Sequence, residues 1–202
     1  MMKRKIFTLL LLLGLFAGTP DAQAWNIFRP FAKSQPKQNS VKAKITAEPD
    51  SKARNIYQLF TRVNPKLDAG RAQNYVTIIT DAAKKYKQDP YVIAAIIVHE
   101  STVNYKAVSK GGDYGLMQVR WKVHEKAIKA EYPKVKKASD FFDPRTNIFF
   151  GTRILSECAA KSKDLKGTLL RYSGGGEKVT AKVMNRVKEL QAMDKPATKK
   201  GR

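Results

Sequence analysis

A glutamate at the end of an apolar stripe is the residue in this chain best placed to do chemistry. Val92, Ile96 and Glu100 follow one another at intervals of four, so on a helix they share one face, with the carboxylate near the C-terminus. A charge there is costly. The negative end of the helix dipole opposes it by about 0.3–1 kcal/mol, and apolar surroundings oppose it more. A glutamate with an ordinary pKa of about 4.3 is protonated only about 0.2% of the time at pH 7, whereas a rise of about two units leaves roughly 17% protonated. That rise takes about 2.7 kcal/mol, more than the dipole supplies, so desolvation has to provide most of it. A carboxyl held partly un-ionised at neutral pH is a general acid, and once ionised it is a general base. On these residues alone the plainer alternative, that Glu100 caps its helix or pairs with a nearby cation, stays open.

Other chemistries fail on spacing. His99-Glu100 would begin a zinc-protease helix only with histidine at 103, where the chain has Val103. Ser173 lacks the glycine two positions earlier that a nucleophile elbow needs, since Arg171 stands there, and Gly174 to Gly176 lack the lysine and hydroxyl of a phosphate loop. His99 and His124 read as helix-surface or core histidines. Cys158 is the only cysteine, so no intramolecular disulfide can form. It shares a helical stripe with Ile154 and reads as a buried, inert thiol. The chain calls for no metal and no cofactor.

Helices must position Glu100. Ile56, Tyr57 and Phe60 mark a first amphipathic helix; Tyr75, Ile78, Ile79, Ala82 and Tyr86 mark a second, with Asp68 as capping candidate. Asp89-Pro90 opens a third, in which Tyr91 to Val98 is apolar almost all round; a helix of that kind belongs at the buried centre. Asp143-Pro144 repeats the start signal ahead of Ile148, Thr152, Leu155 and Ala159, with Gly151 small enough to admit another helix. Val179, Val183, Val187 and Leu190 line a last helix. Nothing alternates as a strand, so the expected class is all-α.

The ends read differently. Lys3, Arg4 and Lys5, then the apolar run Ile6 to Phe16, then Ala22-Gln23-Ala24 compose a signal peptide over 1–24, which implies export across the inner membrane to a periplasmic or other extracytoplasmic space. No cysteine stands at the expected cleavage point, Trp25, to carry a lipid, so release is expected over tethering. Residues 25–50, with Pro30, Pro36 and Pro49 among polar and basic residues, read as a disordered linker, and residues 194–202 as a disordered tail. Of 202 residues, 39 are Lys or Arg and 17 are Asp or Glu, a net charge of +22. Such an excess suits an anionic partner. No zinc-finger spacing or RNA-binding signature accompanies it, so a specific nucleic-acid partner is not expected, and an anionic envelope surface is. Lysines that merely keep the chain soluble are the alternative.

Several blocks in order then resemble one family. Glu100-Ser101 is followed by Ser109, by Gly115-Leu116-Met117-Gln118-Val119, by Phe142-Asp143-Pro144, Asn147-Ile148, Gly151 and Leu155, and by Tyr172. Together they resemble the lytic transglycosylases of the soluble-transglycosylase (SLT), lysozyme-like family, over roughly Ala53 to Leu190. The chain departs from that pattern at Tyr172-Ser173, where the family often has Tyr-Asn, and at Arg120-Trp121, where it often has Met-Pro. The resemblance implies a lysozyme-like helical domain at 51–193 around a buried central helix, acting on peptidoglycan glycan strands. In it Glu100 would protonate the bond between N-acetylmuramic acid and N-acetylglucosamine and then take the proton of the muramyl C6 hydroxyl, leaving a 1,6-anhydro end. Ser101, Ser109, Gln118 and Tyr172 would bind substrate. A secretion or conjugation machine is a candidate partner. Two alternatives stand beside this: a hydrolytic lysozyme (muramidase), should Asp113 activate water rather than serve its loop beside Gly111 and Gly112, and a noncatalytic basic wall-binding module.

Overall fold

The computed structural model describes residues 51–194. The expected signal peptide, linker and residues 195–202 of the tail lie outside the described residues.

The class is all-α, as the periodicity implied. Among the described residues seven α-helices run in order: α1 (Ser51–Val63), α2 (Ala69–Tyr86), α3 (Pro90–Ser101), α4 (Trp121–Glu131), α5 (Pro144–Ala160), α6 (Leu165–Tyr172) and α7 (Glu177–Ala192), with a 3-10 turn at Ala138–Phe142 before α5. Aspartates start four of them. Asp68, Asp89, Asp143 and Asp164 accept hydrogen bonds from the backbone N–H groups of Arg71, Tyr91, Thr146 and Gly167 at 2.7–3.0 Å. Pro90 and Pro144 occupy the first turn, where a missing N–H costs nothing.

α3 is the hub. Every residue from Tyr91 to Val98 is buried; α1, α2 and α7 pack around it, and α5 packs against α2 and α6. Surrounding a helix on all sides removes the need for a polar face, which is why its apolar residues show no preferred side. No helix among the described residues is long and apolar enough to cross a membrane. The buried Tyr91 hydroxyl donates to Asp194 at 2.6 Å and accepts from Asn55 at 2.8 Å, and Asn55 also donates to Asp194 at 2.9 Å. Asp194, the first residue of the expected tail, is thereby pinned to the start of α3.

Three elements were not foreseen. α4 fully buries only Ile128 and shows lysines on its remaining surface, and α6 has eight residues, so neither repeats its stripe often enough to be read. Between α3 and α4 the chain forms a short antiparallel hairpin, β1 (Asp113–Tyr114) and β2 (Val119–Arg120), pairing Asp113 with Arg120 and Tyr114 with Val119. Two residues per strand are too few to alternate.

The turn of that hairpin is clamped to α5 through Asn147, which is 0% exposed. Its Oδ1 accepts from the Met117 N–H at 2.8 Å, and its Nδ2 donates to the carbonyls of Tyr114 (2.9 Å) and Phe141 (3.2 Å). Gly115 has φ +78° and lies so close that a Cβ there would collide with the Asn147 side chain. Gly151 serves the same approach from α5, since a Cβ on it would fall 2.7 Å from Met117 Sδ.

Candidate active site

Glu100 is the penultimate residue of α3, one turn beyond the buried Ile96. The helix ends there by force. Thr102 and Val103 both have left-handed backbones, φ 49° and 62°, a conformation β-branched residues resist at about 1–3 kcal/mol each. Burial of the Val103 side chain, 1% exposed, holds the reversal in place.

The carboxyl of Glu100 lines a cleft of about 350 Å³, whose walls come from the hairpin (Asp113, Gln118, Val119, Arg120), α4 (His124), α5 (Ile154), the end of α6 (Arg171, Tyr172) and α7 (Val179). Desolvation, and then the negative charge of Asp113, push its pKa up to about 7, and nothing nearby pulls it down. Glu100 forms no ion pair with any cation among the described residues, so the capping or pairing alternative has no support here.

Asp113 faces the opposite fate. Arg120 grips it with Nε on Oδ1 (2.7 Å) and Nη2 on Oδ2 (3.2 Å), and the Ser109 hydroxyl donates to Oδ2 at 2.7 Å. The Arg120 bonds, with help from Ser109, hold the Asp113 carboxyl below its usual range. Two carboxyls in one cleft are thus driven apart, one titrating near neutrality and one held ionised, a division that would suit the first to proton transfer. With both its oxygens engaged, Asp113 is poorly placed to activate a water molecule.

The five residues implied by the resemblance divide into two groups. Glu100, Gln118 and Tyr172 line the cleft. Gln118, with φ 48°, spends its amide N–H groups on the carbonyls of Ala107 (3.1 Å) and Gly115 (2.9 Å), which leaves its Oε1 as an acceptor. The Tyr172 hydroxyl donates to the Met117 carbonyl at 3.0 Å, tying α6 to the cleft floor; burial first, then the Glu100 charge, raise its pKa well above the usual range. Ser101 and Ser109 stand behind the wall. Ser101 is buried and donates back to the Ile97 carbonyl (3.0 Å), while Ser109 accepts from the N–H groups of Gly111 and Asp113 as well as donating to Asp113.

His99 and His124, read as surface or core residues, are both half-buried in the cleft lining. Desolvation lowers the pKa of each, reinforced by Lys182 at His99 and by Arg153 at His124. They offer hydrogen bonds beside Glu100 without adding a cation. Nothing in the local sequence marks them: His99 precedes Glu100 without forming a motif with it, and only the packing of α4 brings His124 to the same cleft. Arg120 lies in the lining, bound to Asp113, and Trp121 packs against Phe141 with ring centroids 6.3 Å apart. Cys158 is half-buried, and burial raises its thiol pKa. Among the described residues no three His, Cys, Asp or Glu converge as a metal-binding group.

Compared with known proteins, residues 77–193, more than half of the chain, match the family model described as the transglycosylase SLT domain. A membrane-bound lytic murein transglycosylase E of Buchnera aphidicola subsp. Acyrthosiphon pisum (strain APS) is 32% identical over 107 residues, which cover 50% of this chain and 47% of the relative. The chain spans about half the length of this curated relative.

Proposed function

Because the chain belongs to the transglycosylase SLT domain family, we propose that it is an exported lytic transglycosylase that cleaves the β-1,4 bond between N-acetylmuramic acid and N-acetylglucosamine in peptidoglycan and leaves 1,6-anhydro ends. The observation that carries this reading is the unpaired, desolvated carboxyl of Glu100, pushed up to about 7. In the first step Glu100 gives its proton to the glycosidic oxygen as the C1–O bond breaks, so the leaving sugar departs as an alcohol and positive charge develops at C1 and the ring oxygen. In the second, the muramyl C6 hydroxyl attacks C1 and its proton returns to the Glu100 carboxylate. The acid is regenerated and no water is consumed, so one titratable group suffices where hydrolytic glycosidases need two. Gln118 Oε1 and the Tyr172 hydroxyl oxygen are assigned to sugar contacts; Ser101 and Ser109 act from behind, fixing the end of α3 and the Asp113 loop. Residues 1–24 serve as the export signal and 25–50 as the linker to the domain at 51–193, placing it in the periplasm or another extracytoplasmic space.

Digestion of purified sacculi followed by mass spectrometry tests the reaction. Anhydro-muramic ends are expected; reducing muramic ends would transfer the chain to the hydrolytic muramidases, and binding without release would make it a wall-binding module.

The pH dependence follows from the same group. Protonated Glu100 starts the reaction, so the rate should fall as pH rises through about 7, by roughly tenfold per unit beyond it. Asp113→Asn removes a charge that raises the Glu100 pKa, so the descending limb should move to lower pH. A limb that stays in place, or moves upward, would show that Asp113 does not act on Glu100.

A further inference from the structure

The cleft lining does not stop at Tyr172. Through Ile154, Arg171 and Gly174 it runs into a second depression of about 620 Å³, between the C-terminal end of α5 and the α6–α7 turn, with the half-buried Cys158 and Leu170 as its apolar surface. A volume of that size falls within the range of ligand sites. Its wall at the turn is bare backbone: Gly174 and Gly175 have φ +67° and +93°, and a Cβ on either would meet nothing within 4 Å. Its charges are unbalanced. Glu157 is held by Arg153 at 2.8 Å, whereas Lys161 and Arg171 form no ion pair among the described residues. The depression therefore joins the Glu100 cleft, offers apolar surface, and presents two uncommitted cations.

We propose that this depression is a subsite for the acidic peptide carried by the muramic residue of the bound strand, with Lys161 and Arg171 facing its carboxylates. The assignment rests on the transglycosylase reading for its substrate class. It makes the enzyme selective for strands that still carry peptides, and it gives part of the chain's positive charge a specific recipient.

Binding is the readout, so that a failure to cleave, which would sink the transglycosylase reading, leaves this test intact. Soluble glycan strands bearing peptides, and the same strands stripped of peptide by an amidase, are titrated into the full chain carrying Glu100→Gln. Peptide-bearing strands should bind about five- to tenfold more tightly, the range expected of two partly exposed ion pairs. Lys161→Gln should remove about half of that preference on a logarithmic scale and Lys161→Glu most of it, both leaving the stripped strands unaffected. Lys161 is exposed and its side chain has no hydrogen-bond or ion-pair partner among the described residues, so the variants should fold. Equal affinity for the two strand types, or a Lys161→Glu change that weakens both alike, overturns the proposal.

Discussion

Replacing Glu100 with glutamine should lower the rate of strand release from sacculi by about 10³- to 10⁴-fold while retaining strand binding, since in the proposed reaction a single group supplies both proton transfers and glutamine supplies neither. The same substitution should make the fold more stable at alkaline pH. The folded pKa of Glu100 is raised to about 7, above its unfolded value, so the folded state binds the extra proton. Its stabilising contribution is fully present below the unfolded pKa, near 4.5, and is lost as pH rises through about 7. Above that the ionised carboxylate costs on the order of 2 kcal/mol, allowing for solvent screening of a partly exposed group, and glutamine escapes that cost. Thermal unfolding at pH 8 should therefore favour Glu100→Gln by about 5 °C, and at pH 4 the two proteins should melt together. Unchanged strand release would remove Glu100 from the reaction; a melting difference independent of pH would remove desolvation as the source of its acidity.

Asn147→Ala should cost about 3–5 kcal/mol of stability in urea unfolding. It would leave the Met117 N–H and the carbonyls of Tyr114 and Phe141 without their partner in a site that excludes water. Each orphaned group costs about 1–3 kcal/mol, and a buried void adds to the sum. Activity should fall further than the folded fraction does, because Met117 supplies the carbonyl that holds the Tyr172 hydroxyl, and Gln118 follows it in the chain. A loss below about 1 kcal/mol, or activity that simply tracks the folded fraction, would show that the cleft floor does not depend on this clamp.

The helices that were legible each combine a start signal or a repeated stripe with enough length to repeat it. Asp89-Pro90 and the apolar run behind it identify α3 as central, and Asp143-Pro144 does as much for the start of α5. α4 and α6 escape because their burial comes from partners rather than from their own pattern: His124 of α4 lies against Phe150 of α5, ring centroids 5.7 Å apart, and the buried Thr168 and Leu169 of α6 lie against elements from elsewhere in the chain. The same limit governs the site. Ser101 and Ser109 carry the family's pattern, yet their hydroxyls turn to Ile97 and Asp113, while His99 and His124 carry no pattern and line the cleft.

Periodicity and capping act within one turn of helix, over three or four residues, so the residue order alone determined that a carboxylate would close an apolar stripe on a buried helix. How far water is kept from that carboxylate, and which charges it meets, depends on Asp113, Tyr172 and α7 converging from distant parts of the chain. Desolvation and Coulomb energy follow distance through space rather than along the backbone, and only the tertiary structure decided that Asp113 would be held ionised by Arg120 while the Glu100 carboxyl was pushed up to about 7.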